Sequence, residues 1–544
     1  MSNCCGSSRA SRPSRLCSIV AVAAVALAAD AQSWLDYDQA LSQHAWLRTT
    51  NAAALTTYQP ADSTQRLLAD AQVAIATGQG HLVPYGQSPD AWQATARARA
   101  LGRFGQRVVL RGGIDYSNAW GSDAGGSVWV DSDRMPFDII ETVDTTHGNI
   151  SLESYGIDGE VAVLAARGLS VGARFAYTAA SGTKRRDPRY TGTLMLMDVA
   201  AGVTWQAGHL TLGANYLMQR STEALQFSTY GRTDRVYGYL IDYGAAFGRD
   251  ETTDGKGYVS SDYEKPLLDM RHGVAVQAGY ACGPWSAVIE WQWSHRHGHY
   301  GLQSPSLIDF NRHHGDEHHL RSWWQHATRL AIHRVTALWS HDDLKDYERT
   351  YRTVTDGGVS QVVYYDDREV SQRQVDRLTV AYDLQWGIHR HLAAWQAQAR
   401  IDYCLRTVTA SLYPYYRWQQ THSTAVRLAV RRNWLPASDH TWSVALMTGW
   451  AGGGGTPNSD GAYALTADGA EFPQAHDDLL TWQYEWRTAG RVLAGIGLRW
   501  SMPLLHHRLR LYAQGGYSYV HALDTHHISD AHRHGASLAV GCLF

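Results

Sequence analysis

The final nine residues of the chain, 536–544, read ASLAVGCLF and alternate between two sets of side chains. One set is bulkier and apolar, and the other is mostly small. The sets are Leu538, Val540, Cys542 and Phe544 on one face, and Ser537, Ala539, Gly541 and Leu543 on the other. Because successive side chains of a strand point to opposite faces, this stretch predicts a β-strand with one lipid-facing side and one lumen-facing side.

The same alternation recurs upstream, often in pairs joined by tight turns. Ile289, Trp291 and Trp293 alternate with Glu290 and Gln292, so an apolar face is opposed by a polar one. Such pairs predict β-hairpins. The predicted strands are 108–116, 160–166, 169–179, 195–205, 210–218, 274–280, 289–293, 320–332, 378–386, 395–403, 424–430, 442–450, 492–500 and 509–519.

Long polar, glycine-rich stretches separate the hairpins, and we predict that they are external loops. They are 120–148, 221–265, 295–319, 353–373 and 452–487. Short turns at one end and long loops at the other are typical of outer-membrane barrels. The sequence therefore predicts an all-β fold, a transmembrane antiparallel outer-membrane β-barrel of about 16 strands, within a range of about 14 to 18.

The composition of the 544-residue chain favours the same class. It contains 21 Trp and 30 Tyr but only 8 Phe, and amphipathic aromatic residues collect at membrane interfaces. The mean hydropathy of −0.34 argues against a helical membrane protein. No segment after the N-terminal region has the roughly 18 apolar residues that a spanning helix needs.

The N-terminus has the pattern of a secretory signal peptide, residues 1–31. Arg9, Arg12 and Arg15 precede an apolar stretch, 18–29, and a small-residue cleavage site, 29–31. Residues 32–105 are predicted to form a periplasmic, hatch-like segment, and 106–544 the barrel. Alternating residues in 67–75 and 92–100 fit two further strands, but alanine-rich stretches fit helices equally well.

Charge and cysteine content exclude several classes of protein. Removal of the signal peptide would change the formal net charge from −3 to about −5, which gives no basic face for nucleic acid. Three cysteines remain after it, Cys282, Cys404 and Cys542, and they are scattered. They predict neither a disulfide framework nor a metal site.

Three motifs resemble an uncharacterised Bacteroidetes family of outer-membrane β-barrels, a domain of unknown function. They are RGGIDY at 111–116, RDPR at 186–189 and YGYLIDY at 237–243. NAAAL at 51–55 also resembles the Asn-Pro-Ala motif of fatty-acid-transporter-like barrels, with Ala52 in place of the proline. The C-terminal aromatic residue resembles the assembly signal of outer-membrane barrels. These resemblances imply fold and localisation, and the first family has no assigned activity.

Inward-facing charged residues are the first candidate site. They could line an aqueous path, because an ion inside a barrel must be hydrated or paired. An equal alternative is a ladder of ion pairs that fills the interior. The residues are Arg174, Glu290, Arg400, Asp402, Arg427, Arg431 and Arg499.

Histidine is the second candidate. His313, His314, His318 and His319 lie close together within a predicted loop, and imidazoles could bind a metal or metal complex there. The alternative is that these residues are ordinary solvated loop residues. No zinc-protease motif, phosphate loop or nucleophile elbow occurs, so we predict neither an enzyme nor a cofactor.

Two functional hypotheses follow. In the first, the barrel binds or transports a small solute, with a metal or metal complex as one candidate, beside a separate energised transporter. In the second, it scaffolds a surface lipoprotein or a secretion complex. The predicted partners are outer-membrane lipid and one of these proteins. The chain lacks room for a large separate plug, so it is predicted not to be an energised transporter itself.

Overall fold

The computed structural model describes residues 37–59, 67–142, 144–230, 235–253, 265–304, 307–389, 392–434, 440–464, 472–504 and 509–544. The predicted signal peptide lies outside these residues. Eighteen antiparallel strands form one closed sheet, in which each strand pairs with its neighbours and the first pairs with the last. The predicted all-β antiparallel barrel is therefore confirmed, at the upper end of the expected strand number.

The barrel strands, in order around the wall, are β1 Leu67–Gln79, β2 Asp90–Phe104, β3 Val108–Ala124, β5 Gly148–Ala166, β6 Leu169–Lys184, β7 Arg189–Ala207, β8 Leu210–Ser228, β11 Leu267–Cys282, β12 Trp285–Ser304, β13 Leu307–Ala327, β14 Ala331–Asp356, β15 Val359–His389, β16 Leu392–Leu412, β17 Tyr415–Trp434, β18 Thr441–Ala462, β19 Arg491–Leu504, β20 Leu509–Ala522 and β21 His532–Leu543. A separate small sheet contains β4 Asp138–Glu141, β9 Tyr237–Gly244 and β10 Phe247–Thr253. The α-helices are α1 Tyr37–Gln43 and α2 Asp477–Thr488, and short 3-10 helices span Ala45–Arg48, Ala52–Thr57, Ser132–Arg134 and Asp144–Thr146.

The alternation in the sequence matches the faces of the wall. On β21 the Leu538 side chain is 61% exposed on the outside, whereas Ala539 is 5% exposed and faces inward. On β12 Ile289 and Trp291 are exposed, and Glu290 between them is fully buried inside. The outer face thus carries an apolar belt, and the inner face carries most of the charge. Phe544 is the exception, since Ala69 and its neighbours on the wall cover it.

The alanine-rich stretches are strands of the wall. β1 pairs with β2 on one side and with β21 on the other, so it closes the barrel. Among the described residues, no helix is both long enough and apolar enough to cross a membrane. The predicted strand 320–332 is wrong in one respect, because β13 ends at Ala327 and a turn separates it from β14.

The predicted loops are too long. Most of 295–319 belongs to β12 and β13, and most of 353–373 belongs to β14 and β15. These extensions are polar on both faces, so they lack the alternation by which a strand is recognised. They remain strands because the ladder hydrogen bonds continue beyond the apolar belt. Helix α2, Asp477–Thr488, begins within the predicted loop 452–487 and ends one residue beyond it.

Short turns, such as Arg167-Gly168, lie at one end of the barrel, which we call the turn end. The opposite end, the loop end, carries the longer connections and also the two-residue turns 357–358 and 413–414. Residues 37–59 lie inside the barrel near the turn end, and we call them the inner plug. Tyr37, Leu47 and Leu55 of the inner plug pack against Leu68 and Leu101 of the wall.

A second element fills the loop end. It consists of residues 125–142 together with β9 and β10, and we call it the outer cap. Its core is aromatic: Trp129, Phe137, Tyr239 and Phe247 belong to one buried cluster, which includes Tyr300 of β12. The barrel is therefore occupied from both ends, and what remains of the lumen lies between these two elements and the wall.

Glycine at position 172 creates the seat of the inner plug, and we expect Gly172→Ala to displace it. A Cβ there would lie 2.3 Å from the amide nitrogen of Ala53, a backbone atom that cannot rotate away. Overpacking of this kind costs roughly 1 to 3 kcal/mol. Hydrogen exchange of the amides in 45–58 should become faster in the variant.

Gly497→Ala is the matched control. Gly497 also faces the lumen, but the nearest atom to its added Cβ would be the Ala445 Cβ at 3.6 Å. This variant should exchange like the wild type. Equal exchange in both alanine variants would contradict the role of Gly172.

Candidate functional site

The predicted lumen residues lie on the inward face, and several form ion pairs. Arg400 and Arg427 both bind Asp402, at 2.7 and 3.3 Å. Arg174 lies 3.6 Å from Glu160 on the neighbouring strand. Arg431 and Arg499 occupy inward positions on β17 and β19. The wall thus carries parts of an ion-pair ladder.

Glu290 anchors the inner plug. Its Oε2 accepts hydrogen bonds from the amide and hydroxyl of Thr50, at 2.8 and 2.9 Å, and from Gln277 at 2.9 Å. Its Oε1 pairs with Arg321 at 2.6 Å. Glu290 is therefore a structural anchor that does not line an open path.

Asn51 is the second anchor of the inner plug. Its Nδ2 donates to the carbonyl of Val203 at 2.9 Å and to Gln277 Oε1 at 3.0 Å. Its Oδ1 accepts from the amide of Ala53 at 3.0 Å and so caps the 3-10 helix Ala52–Thr57. One buried side chain thus joins the inner plug to β7 and β11.

The outer cap is held from several sides of the barrel. Lys184 of β6 forms a buried ion pair with Glu141 of β4. Opposite, Ser371 of β15 donates to the carbonyl of Tyr243 at 2.6 Å, and Arg417 of β17 donates to the carbonyl of Ala245 at 3.3 Å. These bonds add to the large aromatic core, and together they hold the cap in place.

A cavity of about 1280 Å³ remains between the outer cap, helix α2 and the wall. Among the described residues, the charged side chains around it are eight arginines and five aspartates. The arginines are Arg373, Arg377, Arg400, Arg406, Arg427, Arg487, Arg491 and Arg533. The cavity is therefore a basic compartment inside a protein whose overall formal charge is negative.

Six of these eight arginines, all but Arg400 and Arg427, form no ion pair with a described carboxylate. Arg373 donates to the carbonyls of Met135 and Asp133 in the cap, at 3.2 and 3.3 Å. Arg406 donates to Gln419 Oε1 at 3.0 Å. The buried Nη1 of Arg487 has no hydrogen-bond partner among the described residues. No described carboxylate forms an ion pair with any of the three.

Two aspartates of the outer cap that line this cavity ionise less readily than usual. Burial raises the pKa of Asp138 to about 7, despite a hydrogen bond from Ser127, and nearby Asp242 contributes to the rise. Burial also raises the pKa of Asp242, although the amides of Gly244 and Phe247 donate to its carboxylate. These aspartates therefore offset the arginines only in part.

Helix α2 covers the cavity and carries Arg487. Leu479 and Leu480 pack on the outer cap beside Ile140 and Leu240. Glu485, on the same helix, accepts hydrogen bonds from the amides of residues 526, 527 and 528, at 2.8 to 3.1 Å, and lies 3.0 Å from His527 Nδ1. We call this group of bonds the Glu485 latch, since it ties α2 to the connection between β20 and β21.

The four predicted metal-binding histidines lie on strand β13, so their placement in a loop is wrong. His313 and His319 face inward, and His313 is buried with its Nε2 3.1 Å from Asp269. His314 and His318 face outward, where they stack on Tyr347 and Trp291. The four imidazoles therefore do not share one site. Among the described residues, no group of three or more His, Cys, Asp and Glu could hold a metal ion.

Sequence reasoning missed what the outward histidines do. Several pair with aromatic residues on adjacent strands at the edges of the apolar belt. Tyr216 Oη lies 2.6 Å from His272 Nδ1, and the corresponding distances are 2.8 Å for Tyr382 with His333 and 2.6 Å for Tyr517 with His534. The abundance of Tyr and Trp together with His was the available signal, since all three suit an interface that is apolar on one side and wet on the other.

The fold and the cavity define a closed β-barrel with two internal plugs and a basic lumen compartment. The chain belongs to a family described as "Family of unknown function (DUF6850)", whose model matches residues 53–544. This match confirms the prediction that the chain resembles a family of unknown function. The Bacteroidetes origin and the likeness to fatty-acid-transporter-like barrels stay predictions. No curated protein sequence matches the chain.

Among solved structures, the chain is similar to Pseudomonas aeruginosa FpvA bound to heterologous pyoverdines, with 10% identity, a TM-score of 0.41, and coverage of 89% of this chain and 72% of that one. It is also similar to BauA, the ferric preacinetobactin receptor of Acinetobacter baumannii, with 8% identity, a TM-score of 0.39, and coverage of 88% of this chain and 81% of that one. A third similar structure is the outer membrane transporter YddB of Escherichia coli, with 9% identity, a TM-score of 0.39, and coverage of 87% of this chain and 81% of that one. Identities and TM-scores this low support no conclusion about function.

Glu485→Ala should loosen α2 from the connection between β20 and β21. Burial would raise the pKa of Glu485, but the bonds from His527 and the three amides outweigh it and lower that pKa to about 2. The charged carboxylate therefore stabilises the latch at any pH above about 4.5, the ordinary value, and the contribution is lost as pH falls through about 2. Charged hydrogen bonds contribute roughly 1.5 to 3 kcal/mol each.

Hydrogen exchange of amides 526–528 measures the latch. It should be at least about tenfold faster in Glu485→Ala at pH 7, because 1.4 kcal/mol corresponds to about a factor of ten. Asp478→Ala is the control, since it removes an exposed charge from the same helix without touching the latch. Unchanged exchange in Glu485→Ala, or equal acceleration in the control, would contradict the latch.

Proposed function

We propose that the protein is a bacterial outer-membrane β-barrel that binds a small solute in its lumen and passes it across the membrane, without enzymatic activity. One observation carries this proposal: a cavity of about 1280 Å³, lined by charged residues, remains inside a barrel that is otherwise occupied by two plugs. A purely structural barrel has no need for such a compartment. Ligand sites of about 300 to 1,000 Å³ hold drug-sized molecules, so this cavity has ample room.

The outer surface supports the localisation. Exposed apolar side chains such as Phe175, Ile289 and Leu538 cover the outside, while charged residues lie within. Aromatic residues flank this belt, as in outer-membrane barrels. In the proposed orientation the turn end faces the periplasm and the loop end faces the exterior.

The inner plug is the element that would have to move for a solute to pass. Polar bonds centred on Asn51 and Glu290 anchor it to the wall, together with a small apolar cluster. The outer cap has a larger aromatic core and a buried ion pair. A separate energised transporter or a surface lipoprotein is the proposed partner.

The second candidate function, a scaffold for a surface protein, also has an observation in its favour. The end of the hairpin formed by β14 and β15 exposes Val359, Val363 and Tyr365. Exposed apolar groups are typical of surfaces that bind other proteins. A scaffold would not need a movable inner plug, so conductance distinguishes the two functions.

We expect Asn51→Ala to open the barrel more often than the wild type does in planar lipid bilayers. The substitution removes the bonds to Val203 and Gln277 and leaves these buried acceptors without that donor. Such a loss costs about 1 to 3 kcal/mol, or about tenfold or more in the frequency of opening. Single-channel recording measures that frequency directly.

Thr57→Ala is the control for this measurement. The Thr57 hydroxyl donates only to the Ala54 carbonyl of its own 3-10 helix, at 2.7 Å. Its conductance should equal that of the wild type. If neither the wild type nor Asn51→Ala passes current, transport is ruled out and the scaffold is favoured.

Leu538→Arg should impair assembly of the barrel in the membrane. Leu538 points outward on β21, and an arginine at the bilayer midplane costs roughly 2 to 4 kcal/mol. The neighbouring change Ala539→Ser faces the lumen and should be mild. The measurement is the fraction of protein that shifts in migration between unheated and heated samples in detergent. Equal damage from both changes would mean that the two faces are assigned wrongly.

A further inference from the structure

We infer that the cavity beneath α2 binds a small anion bearing carboxylate or phosphate groups, held by Arg373, Arg406 and Arg487. These residues come from three elements, β15, β16 and α2, and all three line the cavity. The inference deepens the proposed function, on which it rests for access of the solute to the cavity. It names the chemical class of that solute.

The guanidinium groups of these three arginines have no anionic partner among the described residues. Arg373 and Arg406 each contact only neutral oxygens, two cap carbonyls for the first and an amide for the second. Arg487 presents a buried Nη1 without a hydrogen-bond partner among the described residues. A buried guanidinium with an unsatisfied donor is costly unless an acceptor binds to it. A bound anion would supply that acceptor.

Positive charges also meet at Arg406. Arg373 and Arg487 are both close enough to act on it electrostatically. Arg377, four residues along β15 from Arg373 and on the same face, adds a fourth guanidinium. Like charges held together in a low-dielectric interior repel strongly. An anion placed between them relieves that repulsion.

The facing acidic groups do not neutralise the cluster. Asp133, Asp242 and Asp342 are the carboxylates of the cavity that influence these arginines. Asp242 already accepts hydrogen bonds from two backbone amides and is itself buried. Around the whole cavity the arginines outnumber the aspartates, eight to five. The compartment therefore favours an anion over a cation.

The chemistry of the side chains sets the class of ligand. The planar fork of a guanidinium matches carboxylate and phosphate oxygens in a bidentate manner. Tyr243 and Trp486 also line the cavity and provide flat surfaces for an organic body. We therefore place small di- and tricarboxylates and phosphorylated compounds ahead of neutral sugars and amines.

The test is isothermal titration calorimetry on the full-length mature protein in detergent, with four probes. Citrate represents the carboxylates and inorganic phosphate the phosphates, and glucose and spermidine are the neutral and cationic comparisons. The wild type should bind citrate, phosphate or both, and neither comparison. Arg373→Gln and Arg487→Gln should each weaken binding about tenfold or more, as expected for loss of a charged hydrogen bond.

Two further variants protect the test against failures of folding. Arg377→Gln removes a guanidinium with no described hydrogen bond, so it should leave the barrel intact and still weaken anion binding. Arg368→Gln is the matched control, because it removes an exposed arginine of the β14–β15 hairpin that does not line the cavity. It should bind like the wild type.

The outcomes separate this inference from the proposed function. No binding of citrate or phosphate by the wild type, or equal binding by the wild type and the Arg373, Arg377 and Arg487 variants, overturns the anion site. Anion binding without any channel activity would support the anion site and contradict the transport function. Channel activity without anion binding would support the transport function and contradict the anion site.

Discussion

The pairing of backbone hydrogen bonds between β1 and β21 is the interaction on which the rest of the structure depends. A membrane offers no water to an unpaired strand edge, so a sheet must close on itself. Here the alanine-rich strand β1 pairs with the C-terminal strand along its length, from Asp70 with Leu543 to Gln79 with His534. Closure fixes the register of the wall, and the register decides which side chains face lipid and which face the lumen.

A closed wall of eighteen strands encloses more space than its own side chains can fill, and this chain fills the space with its own segments. The inner plug docks where Gly172 leaves room for its backbone and where Asn51 and Glu290 satisfy its polar groups. The outer cap docks through an aromatic core. The basic cavity is the part of the lumen that neither element occupies, so its shape and charge follow from how the two plugs fit the wall.

The strands of the wall could be predicted from the sequence where one face meets lipid, because neighbouring residues such as Ile289 and Glu290 must then differ sharply in polarity. The strands within 295–319 could not be predicted in this way, because both of their faces are in contact with water and their sequence resembles that of a loop. The sequence also did not reveal the cavity, since Arg373, Arg406 and Arg487 lie far apart in the chain and Arg487 belongs to a helix within a predicted loop. A partial signal existed: the register pairs Val375 with Arg406, so alternation continued past the apolar belt places Arg373 and Arg406 on the same inner face.

If one face of the wall contacts lipid and the other encloses a polar lumen, the two faces of each strand differ in their exposure to oxygen. Spin labels placed singly at residues 287–293 of β12, in a cysteine-free variant reconstituted in lipid, measure this difference through their collision rates with dissolved oxygen. The rates should be high at 287, 289, 291 and 293 and low at 288, 290 and 292, because oxygen concentrates in the bilayer. Rates without this alternation, or with the opposite phase, would contradict this assignment of the two faces.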